Sequence, residues 1–364
     1  MSKLKVLELF GGIGACSKAL ERLGVDYEIA DYVEIDKYAV KSFNAMHNTN
    51  FEPQDICKWD KDIEVDLIMH GSPCQDFSLA GLQKSGDKGS GTRSSLMWET
   101  IRIVEKLKPK YVIWENVKNL LSKKHRHNFD AYLEIMEQLG YKNYYQVLNA
   151  KDYGIPQNRE RVFTISIRKD IDKSYAFSPK QELKLKLKDM LEDKVDEKYY
   201  LSEKAIHGRM ITHYQKYKLE ENCINNKEIH PTILARFEGA PTLYKETIQI
   251  TNATKKGYLE ACEGDGIDIS SRMQYHRGNV QKESVQTITT SGGNDRGVVD
   301  VVNQKLRIRK LTPKECWRLM GFDDADYERA AQVNSNTQLY KQAGNSIVVN
   351  VLEAILRNLL FDNK

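Results

Sequence analysis

An α/β fold with a smaller, mostly β second region is predicted from three observations. Short apolar runs alternate with amphipathic stretches through the first half of the chain, as strands alternate with helices in a parallel, doubly wound sheet. A glycine turn, Gly11-Gly12-Ile13-Gly14, directly follows the first apolar run. From about residue 201 to 303 the chain turns to short polar and β-branched runs separated by turn residues.

The elements are predicted in order. Lys5 to Phe10 reads as a strand, and Ser17 to Leu23 as a helix behind the glycine turn. Such glycines let backbone approach a ligand closely, although the turn is not G-x-G-x-x-G and a plain tight turn is an equal reading. A second strand near Ile29 to Val33 ends in Glu34-Ile35-Asp36, and an acid at that place commonly holds ribose hydroxyls. Lys37 to Asn48 is helical, a third short strand precedes Asp55-Ile56, and Asp66 to His70 forms a fourth.

Gly71 and Pro73 then break the pattern, so Cys74 sits in a turn just past a strand's C-terminal end. Ligands bind at that edge of open α/β sheets. A thiol there is a candidate nucleophile; a small buried thiol is the plainer account. The stretch after Ser78 holds Gly81, Gly86, Gly89 and Gly91 among Lys84, Lys88 and Arg93. It reads as an active-site lid whose cations meet phosphates, against the alternative of a surface loop.

Ser95 to Leu107 is helical, and the strand Tyr111 to Trp114 ends in Glu115-Asn116-Val117. Glu115 points at the same edge as Cys74, unless it or Asn116 serves only as a helix cap. Phe129 to Leu139 is a further helix, and Gln157 to Ile167 enters a strand. On a strand Arg159 and Arg161 share a side, which suits an anionic or carbonyl-rich ligand; a solvated edge is the duller account.

Bulk properties narrow the field. With 40% hydrophobic and 29% charged residues, the chain of 364 residues has the composition of a soluble globular protein large enough for two domains. It contains no run of 18 apolar residues and no signal-peptide pattern after Met1, so no membrane span is expected. The six cysteines form no C-x-x-C pair, which argues against disulfides and zinc and for a reducing cytoplasm. A net charge of +4 permits nucleic-acid binding without arguing for it. Lys184, Lys186 and Lys188 alternate with Leu183, Leu185 and Leu187 in a solvated amphipathic linker.

The ordered set Phe10 to Gly14, Glu34, Asp55-Ile56, Gly71 to Ser78, Glu115 to Val117, Gln157 to Arg161, Arg309 to Phe322 and Gln342 to Val349 resembles the cytosine-C5 DNA methyltransferase family. Each block is moderately specific, and the series covers all but about residues 175–305. Two positions depart from the family pattern: Gly11 stands where Ala is common, and Ile35 where many members carry an aromatic residue. The first is expected to be harmless in a turn; the second loses stacking but keeps apolar packing on adenine.

The resemblance implies a Rossmann-like S-adenosylmethionine-dependent methyltransferase domain, residues 1–174 completed by 335–364. It also implies a target-recognition domain over 175–334 that includes the 305–322 segment. It implies Cys74 as nucleophile, Glu115 as acid, and Arg159 with Arg161 on the O2 side of the base. S-adenosyl-L-methionine, converted to S-adenosyl-L-homocysteine, would lie against Phe10, Gly11, Gly12, Ile13, Gly14, Glu34, Ile35, Asp55, Ile56, Pro73, Asn345, Ser346 and Ile347, with no metal. Double-stranded DNA would meet Gln75, Ser78, Lys84, Lys88, Arg93, Arg236, Arg272, Arg277, Thr290 and Arg296.

A monomer in a bacterial or phage-infected cytoplasm is expected, with a cognate restriction endonuclease as a partner not required for activity. The absence of a long extension before Leu4 fits a prokaryotic or phage-borne protein. Two alternatives stand beside DNA methylation. A tRNA cytosine-C5 methyltransferase usually has a second proline where this chain has Ser72. A non-catalytic sequence-specific DNA-binding protein would not need Cys74, Glu115, Arg159 and Arg161, and would add a helix-turn-helix at one end.

Overall fold

The computed structural model describes residues 2–73, 96–200, 248–252, 254, 256–262, 264–268, 278–288, 300–302 and 308–361. Its centre is a sheet of β1 (Leu4–Leu9), β2 (Tyr27–Val33), β3 (Leu67–His70), β4 (Tyr111–Val117), β5 (Tyr141–Asn149) and β7 (Glu160–Arg168), in the order β2-β1-β3-β4-β7-β5. The short β6 (Gln157–Asn158) lies just before β7. Helices α1 (Ala15–Arg22), α2 (Lys37–His47), α3 (Met97–Leu107) and α4 (Arg126–Gln138) link the first strands.

The side-chain period of two sends alternate residues to opposite faces. Val6, Leu67, Met69 and Ile113 join one apolar core, which α8 (Val349–Leu360) completes against α1. Leu7, Ile68, Val112 and Trp114 join the other, under α3 and α4. Both faces are covered, so these strands read as continuous apolar runs.

β1 pairs in parallel with β2 and β3, and β3 with β4. The expectation of an all-parallel sheet is corrected by β7, which runs antiparallel to both β4 and β5. The link from Ala150 to Arg159 holds a 3-10 turn and β6 but no crossover helix, so β5 and β7 meet as neighbours in a hairpin-like pair. The third short strand expected before Asp55 does not form; residues 51–55 are a loop. β5 itself was not expected, because Lys142-Asn143 and Gln146 interrupt its apolar residues without a regular alternation.

Among the described residues of the middle region, β10 (Gly266–Asp268), β11 (Asn279–Gln281), β13 (Asp300–Val302) and β14 (Ile308–Lys310) form an antiparallel sheet, and β8 (Ile248–Thr251) pairs with β9 (Tyr258–Ala261). β12 (Val285–Gln286) pairs with β6 and so ties this region to the large sheet. Leu187 and Met190 of the charged linker are buried while Lys184, Lys186 and Lys188 stay exposed. Helices α5 (Pro313–Arg318), α6 (Asp324–Ala331) and α7 (Asn336–Asn345) follow, with α6 packed on α2. Lys18 of α1, itself buried, holds Asp323 at 2.8 Å and Asp326 at 3.0 Å.

Candidate active site

Strand register sets the site. Leu9 stands opposite Val33 and His70, and His70 opposite Trp114. The next residues, Phe10, Glu34, Gly71 and Glu115, therefore meet at one C-terminal edge. β1 lies between β2 and β3, so the chain order reverses beside β1, where ligands lodge in such sheets.

Phe10, Gly12 and Gly14 have φ of 53°, 55° and 77°, a left-handed turn that brings backbone across the end of β1. A Cβ on Gly11 would come within 2.6 Å of the Tyr32 ring, which stacks on Phe43 at 3.9 Å. The turn accommodates Gly11 beside the bulky Tyr32, which leaves little room for a larger residue. Tyr32 also donates its hydroxyl to Gly12 O at 2.5 Å.

The Glu34 carboxylate accepts from Gly12 N at 3.1 Å and Asp36 N at 2.8 Å, and burial pushes its pKa up. Ile35 beside it is 69% exposed, an unusual position for a large apolar side chain. The loop carrying Asp55 and Ile56 is pinned from two sides. Asp31 accepts from Trp59 Nε1 at 2.7 Å and Gln54 Nε2 at 3.0 Å and meets Lys61 at 2.7 Å. Arg102 donates to Ile56 O at 3.0 Å and Trp59 O at 2.9 Å. Asp55 accepts from Cys57 N and Ile56 is buried.

Phe10, Gly11, Gly12, Ile13, Asn345, Ser346 and Ile347 line one solvent-open cleft with Glu8, Gly71 and Glu115. Glu8 was not singled out from the sequence. It accepts at 3.0 Å from Ser17 N and also from the Ser17 hydroxyl, and burial pushes its pKa up to about 7. A lone acid inside the apolar run Val6-Leu7-Glu8-Leu9-Phe10 was the available signal.

Glu115 is buried, with Oε1 3.0 Å from Arg161 Nε. Burial drives its pKa up, and the charges of Arg161 and Arg159 pull it part of the way back. The approach to Cys74 is held by Ser72, whose hydroxyl accepts from Trp114 Nε1 at 3.0 Å, while Asn116 Nδ2 donates to Ser72 O at 3.3 Å. Pro73 is half-buried at the end of this stretch. Arg159 is buried and donates to the carbonyls of Ile288, Gly344 and Ser346 at 3.2, 3.1 and 2.8 Å.

Cys74, Gln75, Ser78, Lys84, Lys88 and Arg93 lie outside the described residues, as do Arg236, Arg272, Arg277, Thr290 and Arg296. Among the described residues no group of three or more His, Cys, Asp or Glu is placed to hold a metal ion, and no helix is long and apolar enough to cross a membrane.

Comparison with known proteins identifies the family. Residues 4–360 match the model of the family described as C-5 cytosine-specific DNA methylase. The chain is 34% identical over 440 aligned positions to the orphan methyltransferase M.SPRI of Bacillus phage SPR, covering 99% of this chain and 98% of that protein. It is 32% identical over 411 positions to the type II methyltransferase M2.ScrFI of Lactococcus lactis subsp. cremoris, covering 98% and 99%. Among solved structures, the Entamoeba histolytica methyltransferase EhMeth shares the fold, with a TM-score of 0.62 at 17% identity and full coverage of both chains.

Proposed function

For a chain that belongs to the C-5 cytosine-specific DNA methylase family, we propose methyl transfer to C5 of a cytosine flipped out of a specific double-stranded DNA sequence. The carrying observation is the buried Glu115–Arg161 pair, set at the sheet edge between the glycine-turned cleft and the Ser72-Pro73 approach to Cys74.

Phe10 to Ile13 and Asn345 to Ile347 in the cleft lining support S-adenosylmethionine as its ligand. Glu34 presents a carboxylate suited to a ribose diol, Ile35 an exposed apolar face for adenine, and the loop of Asp55 and Ile56 is held rigid beside them. Asn345, Ser346 and Ile347 close the wall opposite the glycine turn. When bound, S-adenosylmethionine supplies an electrophilic methyl group and leaves as S-adenosylhomocysteine.

Inside a duplex the target carbon is out of reach, so the base must leave the stack. The Cys74 thiolate then adds to C6, forming a C6–S bond, while protonated Glu115 gives its proton to N3 as the ring gains electrons. The C5–C6 electron pair becomes nucleophilic at C5 and takes the methyl group. Loss of the C5 proton to water re-forms the double bond, the C6–S bond breaks, and the N3 proton returns to Glu115. Burial raises Glu115 toward the protonated state this needs. Arg161 holds the O2 side of the base, and Arg159 orders the site behind it.

Residues 175–334 are proposed to supply target recognition, with Arg236, Arg272, Arg277 and Arg296 reading guanine edges and Thr290 to Asn294 filling the gap left by the base. Gln75, Ser78, Lys84, Lys88 and Arg93 are the DNA contacts proposed from the catalytic domain. The protein works as a cytoplasmic monomer, with or without a paired endonuclease.

The test is bisulfite-type sequencing of mixed-sequence DNA incubated with protein and S-adenosylmethionine. Conversion-resistant cytosines in one short motif are expected, and Cys74→Ala should abolish them while keeping specific duplex binding. Full turnover by that variant would sink the covalent mechanism. Protection of cytosines in tRNA alone would move the substrate to RNA.

A further inference from the structure

Trp114 of β4 is buried, and its ring packs against three others. It lies parallel to the His70 ring, with 3° between planes and 5.7 Å between centroids, and has Tyr132 at 4.2 Å and Phe129 at 5.8 Å. His70 is itself fixed. One ring nitrogen lies 3.1 Å from the Tyr132 hydroxyl of α4, the other 3.4 Å from the Thr100 hydroxyl of α3. Burial holds its pKa down to about 3, so the ring is uncharged at neutral pH. Held in this way, the indole N–H donates to the Ser72 hydroxyl at 3.0 Å. Asn116 Nδ2, at 3.4 Å, is a second and longer donor to the same oxygen, and Ser72 is buried with them.

Register explains the meeting. His70 stands opposite Trp114, and Ser72 follows His70 by two residues, on the same side of the chain. A Cβ on Gly71, between them, would come 3.7 Å from Glu115 Oε2. The turn thus passes the Glu115 carboxyl on one side and is hydrogen-bonded to Trp114 on the other. Pro73 comes next, with its ring holding φ at about −65°. A residue before proline is held extended as well. Few soft torsions therefore separate Ser72 from Cys74, and two residues of chain span at most about 7 Å. A displaced Ser72 displaces the thiol.

We infer that Trp114 and Ser72 form a latch that sets where the chain leaves β3, and with it the reach of the Cys74 thiol to a base held at Glu115. Both are positioning residues, acting through the turn. The inference rests on the methyl-transfer reading above and deepens it with two side chains which that reading leaves without a role in the reaction.

The experiment is single-turnover methyl transfer by Ser72→Ala, Trp114→Phe and the double variant, with S-adenosylmethionine and a duplex carrying the motif found by methylation mapping both saturating. Single turnover reads the chemical step apart from product release. Each single variant should be slower by about 10–100-fold, the cost of a reacting atom misplaced by roughly 1 Å. Neither residue lines the cleft, so the Kd for S-adenosylhomocysteine should stay within about twofold of wild type. Both changes remove the same hydrogen bond, so the double variant should be no slower than the slower single one. It also leaves no orphaned indole N–H, and should melt no lower than Trp114→Phe.

A wild-type rate in a folded single variant, or a double variant slowed by the product of the two single factors, overturns the latch and leaves the methyl-transfer reading standing. So does a double variant whose rate recovers along with its melting temperature, which would make the bond structural only. Should one single variant fail to fold, the other carries the test, since each removes one partner of the same bond. No methyl transfer to any duplex by the wild type overturns the methyl-transfer reading and the latch with it.

Discussion

Glu8→Gln should flatten one component of the pH dependence of stability. Glu8 is a buried carboxyl at the floor of the cleft, and burial lifts its pKa from 4.5 to about 7. The folded state therefore binds more protons than the unfolded state between these values, and stability falls as pH rises through that window. The contribution is fully present below 4.5 and gone above about 7. Integrating between pH 5 and pH 8 gives a loss of about 2.5 kcal/mol for this group alone. Glutamine keeps an oxygen to accept from Ser17 N and from the Ser17 hydroxyl but cannot ionise. The assay is urea unfolding of both proteins at pH 5 and pH 8. Relative to wild type, the variant should be more stable at pH 8 than at pH 5 by about 2.5 kcal/mol, other titrating groups cancelling in the difference. Parallel pH profiles for the two proteins would refute the reasoning, because they would mean Glu8 ionises in the folded state as it does in water.

Three further outcomes are expected. Gly11→Ala restores the residue common at this turn but drives a methyl into the Tyr32 ring, and should cost about 1–3 kcal/mol by thermal or urea unfolding. Asp31→Asn removes the charge that Lys61, Trp59 and Gln54 stabilise, at about 1.5–3 kcal/mol, and should also weaken S-adenosylmethionine binding by loosening the 54–61 loop. Burial opposes ionisation of Asp31 but these partners outweigh it and hold its pKa down, so the wild-type advantage should fade as acid titrates the carboxylate. Arg309→Met leaves Glu315 charged in the core, where Arg309 met it at 2.7 Å, and should cost about 3–5 kcal/mol, measured as a drop in the urea midpoint.

The local signals in this chain survive folding. Near-continuous apolar runs in Lys5 to Phe10, Asp66 to His70 and Tyr111 to Trp114 marked buried strands, because a strand covered on both faces admits almost nothing else. Glycine at 12 and 14 marked the turn, because the left-handed backbone there excludes most side chains. An acid at the end of β2 and another at the end of β4 fell on the cleft edge for the same reason, since register carries strand ends to one line. What the chain could not announce were relations between distant segments. The antiparallel course of β7 follows from which neighbour the short link lets it reach, and β5 was hidden by polar residues that face outward. The crowding at position 11 depends on a ring from another strand, and the raised pKa of Glu8 depends on its burial in the folded chain. The partners of Arg159 are backbone carbonyls, which every residue carries alike, so only the folded chain could choose Ile288, Gly344 and Ser346.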